Sequence, residues 1–249
     1  MKVGWLADPS AYTGGAELTQ ADFRAAAPDG VEIIDCPPGG VAEDLDLYVA
    51  NNVTAYTVAD VEPISELRWY HHDLSPHIDP GVREILNGGR HIFCSPAQRD
   101  RYGIGGELVP PPLDPGRFKP PRQSAKRREG TCSIASWQNP GKGAVALSRW
   151  AQANEPVAVY GDGPFAPRHP AIDYKGGLEP GMVAQTLWRY QRFVFLPFAF
   201  EPFCRCVVEA QMAGCEVVTN GLVGGLYWLK GRARAIETAA EDFWRVVLA

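Results

Sequence analysis

Short apolar runs alternate with stretches of helical periodicity along the whole chain. Val3-Gly4-Trp5-Leu6 is a continuous apolar run with the length and bounding turn residues of a buried strand. A loop rich in small residues comes next at 9–15, and then a helical pattern over 16–27. Further strands are predicted at 31–35, 47–51, 67–71, 91–95 and 108–109. Helices are predicted at 58–66 and 81–87, and Ser95-Pro96 reads as a helix start. The alternation then pauses. Pro110-Pro111-Pro112-Leu113-Asp114-Pro115 and Lys119-Pro120-Pro121-Arg122 frame a proline-rich, basic stretch running to Arg128, which reads as an extended linker because proline fixes φ and lacks a donor. After it the pattern restarts, with strands at 131–136, 157–160, 172–175, 193–196 and 216–219. Helices are expected at 143–153, 181–190 and 202–214, and in the tail over 237–249. Strands alternating with helices predict the α/β class, with parallel sheets covered on both faces. The break predicts two domains, 1–118 and 119–249, with the last helix free to pack back on the first. Ligands of such sheets bind outside the carboxyl ends of the strands, so a cleft between the two modules is the default site.

Charge adds an asymmetry. The net charge is −5, which argues against a general polyanion binder. Residues 1–118 carry 8 Lys and Arg against 18 Asp and Glu, whereas 119–249 carry 16 against 11, so an anionic ligand is expected on the second module. Lys126-Arg127-Arg128 reads as a solvated run within the linker. No apolar run reaches the length of a membrane span, and the N-terminus meets Asp8 too early for a signal peptide; a cytoplasmic protein is expected. The six cysteines form no C-x-x-C pair and complete no zinc pattern with histidine, so reduced thiols and no metal are expected. The first strand is not followed by G-x-G-x-x-G, which weighs against a dinucleotide-dependent oxidoreductase.

The richest chemistry lies at 193–210. A strongly apolar strand ends at Pro197 and a short loop presents Glu201. Pro202 suits a first helical position, and Glu209 falls about two turns into the helix among Val207, Val208, Ala210 and Met212. A carboxylate on a largely buried helix needs a partner. Vicinal ribose hydroxyls would serve, since one carboxylate accepts from both; a neighbouring arginine would serve as well.

Glu201 and Glu209 have the E-x7-E spacing of retaining glycosyltransferases, and the chain resembles glycosyltransferase family 4 in an ordered series of segments. Gly14-Gly15-Ala16-Glu17 is similar to the family's N-terminal GG-x-E loop, and Val109-Pro110 through Phe118-Lys119-Pro120 to its interdomain segment. Gly141-Lys142-Gly143 is similar to the Lys-Gly that opens the first helix of the donor domain, and Val159-Tyr160-Gly161-Asp162-Gly163 to the next strand and its G-x-G loop. Residues 213–220 and Gly224-Gly225 resemble the family's segment after the second glutamate. The series covers nearly the whole chain, which is short for the family.

The resemblance implies GT-B architecture: two Rossmann-like βαβ domains facing across a cleft. It implies a retaining transfer from a nucleotide-sugar donor, with a UDP- or GDP-sugar expected, to an acceptor hydroxyl on a saccharide, a glycan or a modified nucleobase. That last case is the only one in which nucleic acid would be a partner. No cofactor or metal is implied, and the favoured route is front-face, with the leaving phosphate helping to take the acceptor's proton. Glu209 matches the ribose-binding glutamate and Glu201 the one that contacts the donor sugar. Lys142 matches the lysine that neutralises the diphosphate as charge builds on it. Gly14, Gly15, Gly161 and Gly163 allow close backbone approach, and Phe203, Cys204 and Arg205 lie where the helix N-terminus meets the phosphates. His72 followed by Asp73 fits the strand-end histidine that touches the sugar, with Asp73 facing the acceptor hydroxyl; His71 is the rival. One position departs from the pattern. Trp137 stands where the family usually has an arginine of the phosphate clamp, and Arg205 is the candidate replacement, the competing reading being an ion pair with Glu209 one turn on. A non-catalytic nucleotide-sugar or carbohydrate binder on the same fold is the alternative function.

Overall fold

A computed structural model describes residues 1–8, 14–42, 44–51, 53–72, 78–122 and 128–249. The chain forms two compact units, Met1–Pro112 with Lys230–Ala249, and Leu113–Leu229.

In the first unit six parallel strands run in the order β2-β1-β3-β4-β5-β6: β1 (Lys2–Leu6), β2 (Glu32–Asp35), β3 (Leu47–Ala50), β4 (Leu67–His71), β5 (Arg90–Phe93) and β6 (Glu107–Leu108). The central strands β3 and β4 are buried along their whole length; β3 is an unbroken apolar run, whereas β4 also buries Arg68 and His71, and the edge strand β2 is half exposed and carries acids at both ends. Among the described residues the helices of this unit are α1 (Gly15–Ala25), α2 (Val58–Val61), α3 (Pro80–Asn87) and α4 (Pro96–Tyr102). Ser95 caps α4, accepting from the Gln98 N–H with Pro96 at the first helical position.

The second unit holds five parallel strands in the order β11-β10-β7-β8-β9: β7 (Thr131–Ile134), β8 (Val157–Tyr160), β9 (Ile172–Gly176), β10 (Arg192–Phe195) and β11 (Glu216–Thr219). Around them lie α5 (Pro115–Phe118), α6 (Ala144–Ala153), α7 (Val183–Leu187), α8 (Arg205–Met212) and α9 (Leu226–Leu229). The chain then returns to the first unit as α10 (Ala233–Glu237) and α11 (Ala239–Val247). The α11 aromatics fix that return. Phe243 stacks on Phe23 with ring centroids 4.0 Å apart, the Trp244 indole donates to the Phe23 carbonyl at 2.7 Å, and the Arg68 Nε donates to the Val247 carbonyl at 3.2 Å.

All the predicted strands form; several helices differ. The helix expected from Pro202 starts at Arg205, and Pro202 lies in the bend before it. The reason is Cys204, whose φ of 61° is left-handed and cannot continue a right-handed helix backwards. Glu209 is therefore one turn into its helix, not two. The pattern at 58–66 closes only one turn, α2. At 181–190 the chain makes a 3-10 turn, Pro180–Met182, before the short α7. The proline stretch is not extended throughout: Pro115–Phe118 within it form α5, which Asp114 caps by accepting from the Gly116 N–H at 2.8 Å, and Val109–Leu113 before it are buried. Of the basic run, Lys126 and Arg127 lie outside the described residues; Arg128 is bonded to the Ala213 carbonyl. No helix among the described residues is long and apolar enough to cross a membrane.

Candidate functional site

In the second sheet the chain runs outward from β7 through β8 to β9, then crosses to the other side of β7 for β10 and β11. The loops leaving β7 and β10 therefore diverge, and this reversal of strand order is where parallel α/β sheets open a crevice beyond their carboxyl ends. Lys142 comes after β7 and Glu201 after β10.

Glycines bring these loops to backbone contact. Gly143 (φ 83°), Gly161 (φ 109°) and Gly163 (φ 145°) are in conformations that favour glycine. A β-carbon at Gly143 would fall on the Leu196 carbonyl, at Gly161 on the Ala135 carbonyl, and at Gly163 on the backbone of Trp137; one at Gly225 would fall on the Phe203 carbonyl. The loops after β7, β8, β10 and β11 thus rest on one another through main chain. Hydrogen bonds pin the same contacts. The Phe198 N–H donates to the Gly141 carbonyl at 2.8 Å, and Asn139 caps the 3-10 turn Pro140–Lys142 by accepting from the Gly141 N–H at 2.7 Å. The Glu201 backbone is held on both sides, its N–H donating to the Leu222 carbonyl at 2.8 Å and its carbonyl accepting from the Gly224 N–H at 2.9 Å. The Asn220 amide donates to the Pro197 carbonyl at 2.7 Å.

On this frame the Lys142 ammonium lies 2.8 Å from each carboxylate oxygen of Glu201, with side chains 24% and 16% exposed. Burial works against the charge on Lys142, but the Glu201 carboxylate outweighs it and holds the ammonium above its usual pKa. Arg205 opens α8, and its Nε lies 3.6 Å from Oε1 of the buried Glu209. The ion pair one turn along the helix is thus present. Both acids of the E-x7-E spacing face a cation. Burial, and then Glu201, push the Cys204 thiol up to about 12, and burial pushes Cys206 well above its usual range, so both are neutral near pH 7. Phe203 is buried, with its carbonyl accepting from the Gly225 N–H at 3.1 Å. Trp137 is fully buried, and its indole donates to the Tyr160 carbonyl at 3.0 Å.

In the first unit, Gly14 precedes α1 and its N–H donates to the Glu17 carboxylate at 2.9 Å, while Gly15 is the first helical residue. His72 lies beyond β4, its Nε2 3.2 Å from the Asn51 Oδ1 and its ring edge-on to Tyr70. The rival His71 is fully buried, stacked on Phe93 and beside Trp69. Its Nε2 lies 2.9 Å from the His91 Nδ1, and the His91 Nε2 lies 3.3 Å from the Asn87 carbonyl. A carbonyl only accepts, so the His91 Nε2 carries the proton, His71 donates from Nε2, and the His71 Nδ1 is left as an acceptor with no partner among the described residues. Asp73 lies outside the described residues. Sequence reasoning assigned no part to Asn139 or Asn220. The Asn-Pro-Gly run marks Asn139 as a turn residue, but nothing local marks the reach of Asn220 to Pro197.

No protein-family model matches this sequence, and no curated protein matches it. Solved structures do. HepE from Anabaena, crystallised with UDP-glucose, is 20% identical with a TM-score of 0.66, over 99% of this chain and 92% of that one. AviGT4, a glycosyltransferase involved in avilamycin A biosynthesis, is 17% identical at 0.65, over 99% and 92%. Sucrose-phosphate synthase from Thermosynechococcus elongatus is 14% identical at 0.63, over 99% and 90%. The chain is similar to these proteins along almost its entire length, and its fold is the GT-B fold of such glycosyltransferases, as the sequence led us to expect.

Proposed function

We propose that the chain is a retaining glycosyltransferase that moves a sugar from a nucleotide-sugar donor to an acceptor hydroxyl. The observation that carries the reading is the meeting of Lys142 and Glu201 on the loops after β7 and β10, where the order of the second sheet reverses. A diphosphate leaving group gains negative charge as the glycosidic bond breaks. A fixed ammonium at that point stabilises the transition state more than the ground state. In this reading Lys142 meets the diphosphate together with the N-terminus of α8, Glu201 meets the sugar hydroxyls, and Glu209 accepts from the ribose hydroxyls. Arg205 both steadies Glu209 and takes the phosphate-clamp position that the buried Trp137 leaves unfilled. Gly161 and Gly163 keep the loop after β8 close to that of β7. His72 toward the sugar and Asp73 toward the acceptor hydroxyl belong to the same proposal, as does a front-face route in which the departing phosphate takes the acceptor proton.

UDP-glucose is the donor to try first, because HepE was crystallised with it. The test is a thermal-shift and calorimetric screen of UDP, GDP, ADP and dTDP with their sugars, and then donor-turnover assays. Binding of one nucleotide family and release of its diphosphate on turnover are expected; no binding across the panel would overturn the reading. Tight binding without turnover across a broad acceptor panel would favour a non-catalytic binder.

A further inference from the structure

The loops after β7 and β10 and the first turn of α8 carry two cations, Lys142 and Arg205, and two acids, Glu201 and Glu209. Each cation stands against one acid. The stronger pair is Lys142 with Glu201, where one ammonium meets both oxygens at 2.8 Å and both side chains are largely withdrawn from water. The two thiols beside them, Cys204 and Cys206, are neutral near pH 7 and add no charge. The site is therefore neutralised from within.

We propose that Glu201 competes with the donor's diphosphate for Lys142, so that the pair is a latch that the ligand opens. This rests on the function proposed above and adds a regulation of the same site. The backbone of Glu201 is fixed by Leu222 and Gly224, and that of Lys142 by the capped 3-10 turn, so the loops stay in place while the ammonium changes partners. Its long stem permits the swing. When Lys142 turns to a phosphate oxygen, both Glu201 oxygens lose their donor and become acceptors for sugar hydroxyls. A nucleoside diphosphate without the sugar offers Glu201 no such replacement, so it opens the latch at a cost that the whole donor recovers. The latch thus disfavours the spent nucleotide relative to the donor and hastens product release.

The consequence runs against the usual effect of removing a site residue. Glu201→Gln keeps the shape but removes the competing charge, and an unpaired, partly buried ammonium attracts an anion more strongly. Calorimetric titration with UDP should show Glu201→Gln binding at least about tenfold tighter than the wild type, about 1.4 kcal/mol. The gain should vanish in Glu201→Gln/Lys142→Met. Equal or weaker UDP binding by folded Glu201→Gln would overturn the latch while leaving the wild type's nucleotide binding, and so the proposed function, standing. A gain that survives in the double variant would overturn it too, because Lys142 would not be its source. Failure of wild type and variants alike to bind UDP or any other nucleotide of the panel would remove both proposals together. If the variant does not fold, a crystal structure of the wild type with UDP decides. Lys142 Nζ on a phosphate oxygen and beyond 4 Å from Glu201 is the expected result; Lys142 still on both Glu201 oxygens overturns the proposal.

Discussion

The indole nitrogen of Trp137 donates to the carbonyl of Tyr160 at 3.0 Å, tying the end of β7 to the end of β8. The backbone repeats the link, with the Trp137 N–H on the Asp162 carbonyl at 2.9 Å and the Phe165 N–H on the Trp137 carbonyl at 3.0 Å. Trp137 is thus part of the frame that holds the loops. Trp137→Arg, which would supply the arginine usual in the resembling family, is expected to destabilise the chain by about 3–5 kcal/mol, since it loses a buried indole and buries a charge. Urea unfolding should show the lowered midpoint, and UDP affinity should not rise.

Gly161 makes the complementary demand for space. Its φ of 109° and its seat against the Ala135 carbonyl leave no room for a side chain. Gly161→Ala is expected to cost about 2–4 kcal/mol, combining a disfavoured backbone with overpacking. The open control is Gly231, also at positive φ (76°) but with nothing near its would-be β-carbon; Gly231→Ala should carry the backbone part alone and cost about 1–2 kcal/mol. Equal losses in the two variants would contradict the close-packed loop contact.

Most of this frame was legible in the sequence. Apolar runs located the buried strands such as β3, β8 and β10, and turn residues bounded them; the edge strands β2 and β9, which carry charged residues, were found from their place in the strand–helix alternation. What stayed hidden was non-local. The phase of α8 depends on Cys204 adopting a left-handed conformation, which its residue type does not announce. The burial of Val109–Leu113 comes from tertiary packing, whereas proline content alone suggested only an extended linker. The spacing of Glu201 and Glu209 was plain, but their pairing with Lys142 and Arg205 differs in kind: one partner is 59 positions away and only the fold supplies it, the other is a helical neighbour that spacing already offered.

The buried His71 and His91 predict a pH dependence. Burial lowers both pKa values below 6.5, with the charge of His91 and His72 adding to the effect at His71. The unfolded chain therefore binds more protons than the folded one below pH 6.5, so stability falls as the pH drops from 6.5 toward the folded pKa values. Thermal unfolding between pH 7 and 5 should show this slope, and it should shrink in His71→Phe, whose ring can keep the stacking on Phe93. An unchanged slope in that variant would contradict the assignment.

Lys142→Met tests the electrostatic part of the proposed reaction. Losing a charge that acts on the leaving group should lower kcat by about 10²–10³-fold, with a smaller change in KM. Initial rates of UDP release from UDP-glucose measure both; a loss confined to KM would mean that Lys142 only binds.

In the proposed reaction the loops after β7 and β10 receive the diphosphate of a nucleotide sugar. A crystal structure of the chain grown with UDP-glucose tests this most directly. The diphosphate is expected within hydrogen-bonding distance of Lys142 and at the start of α8, with the ribose on Glu209. A nucleotide sugar bound elsewhere, with Lys142, Glu201 and Glu209 untouched, would contradict it.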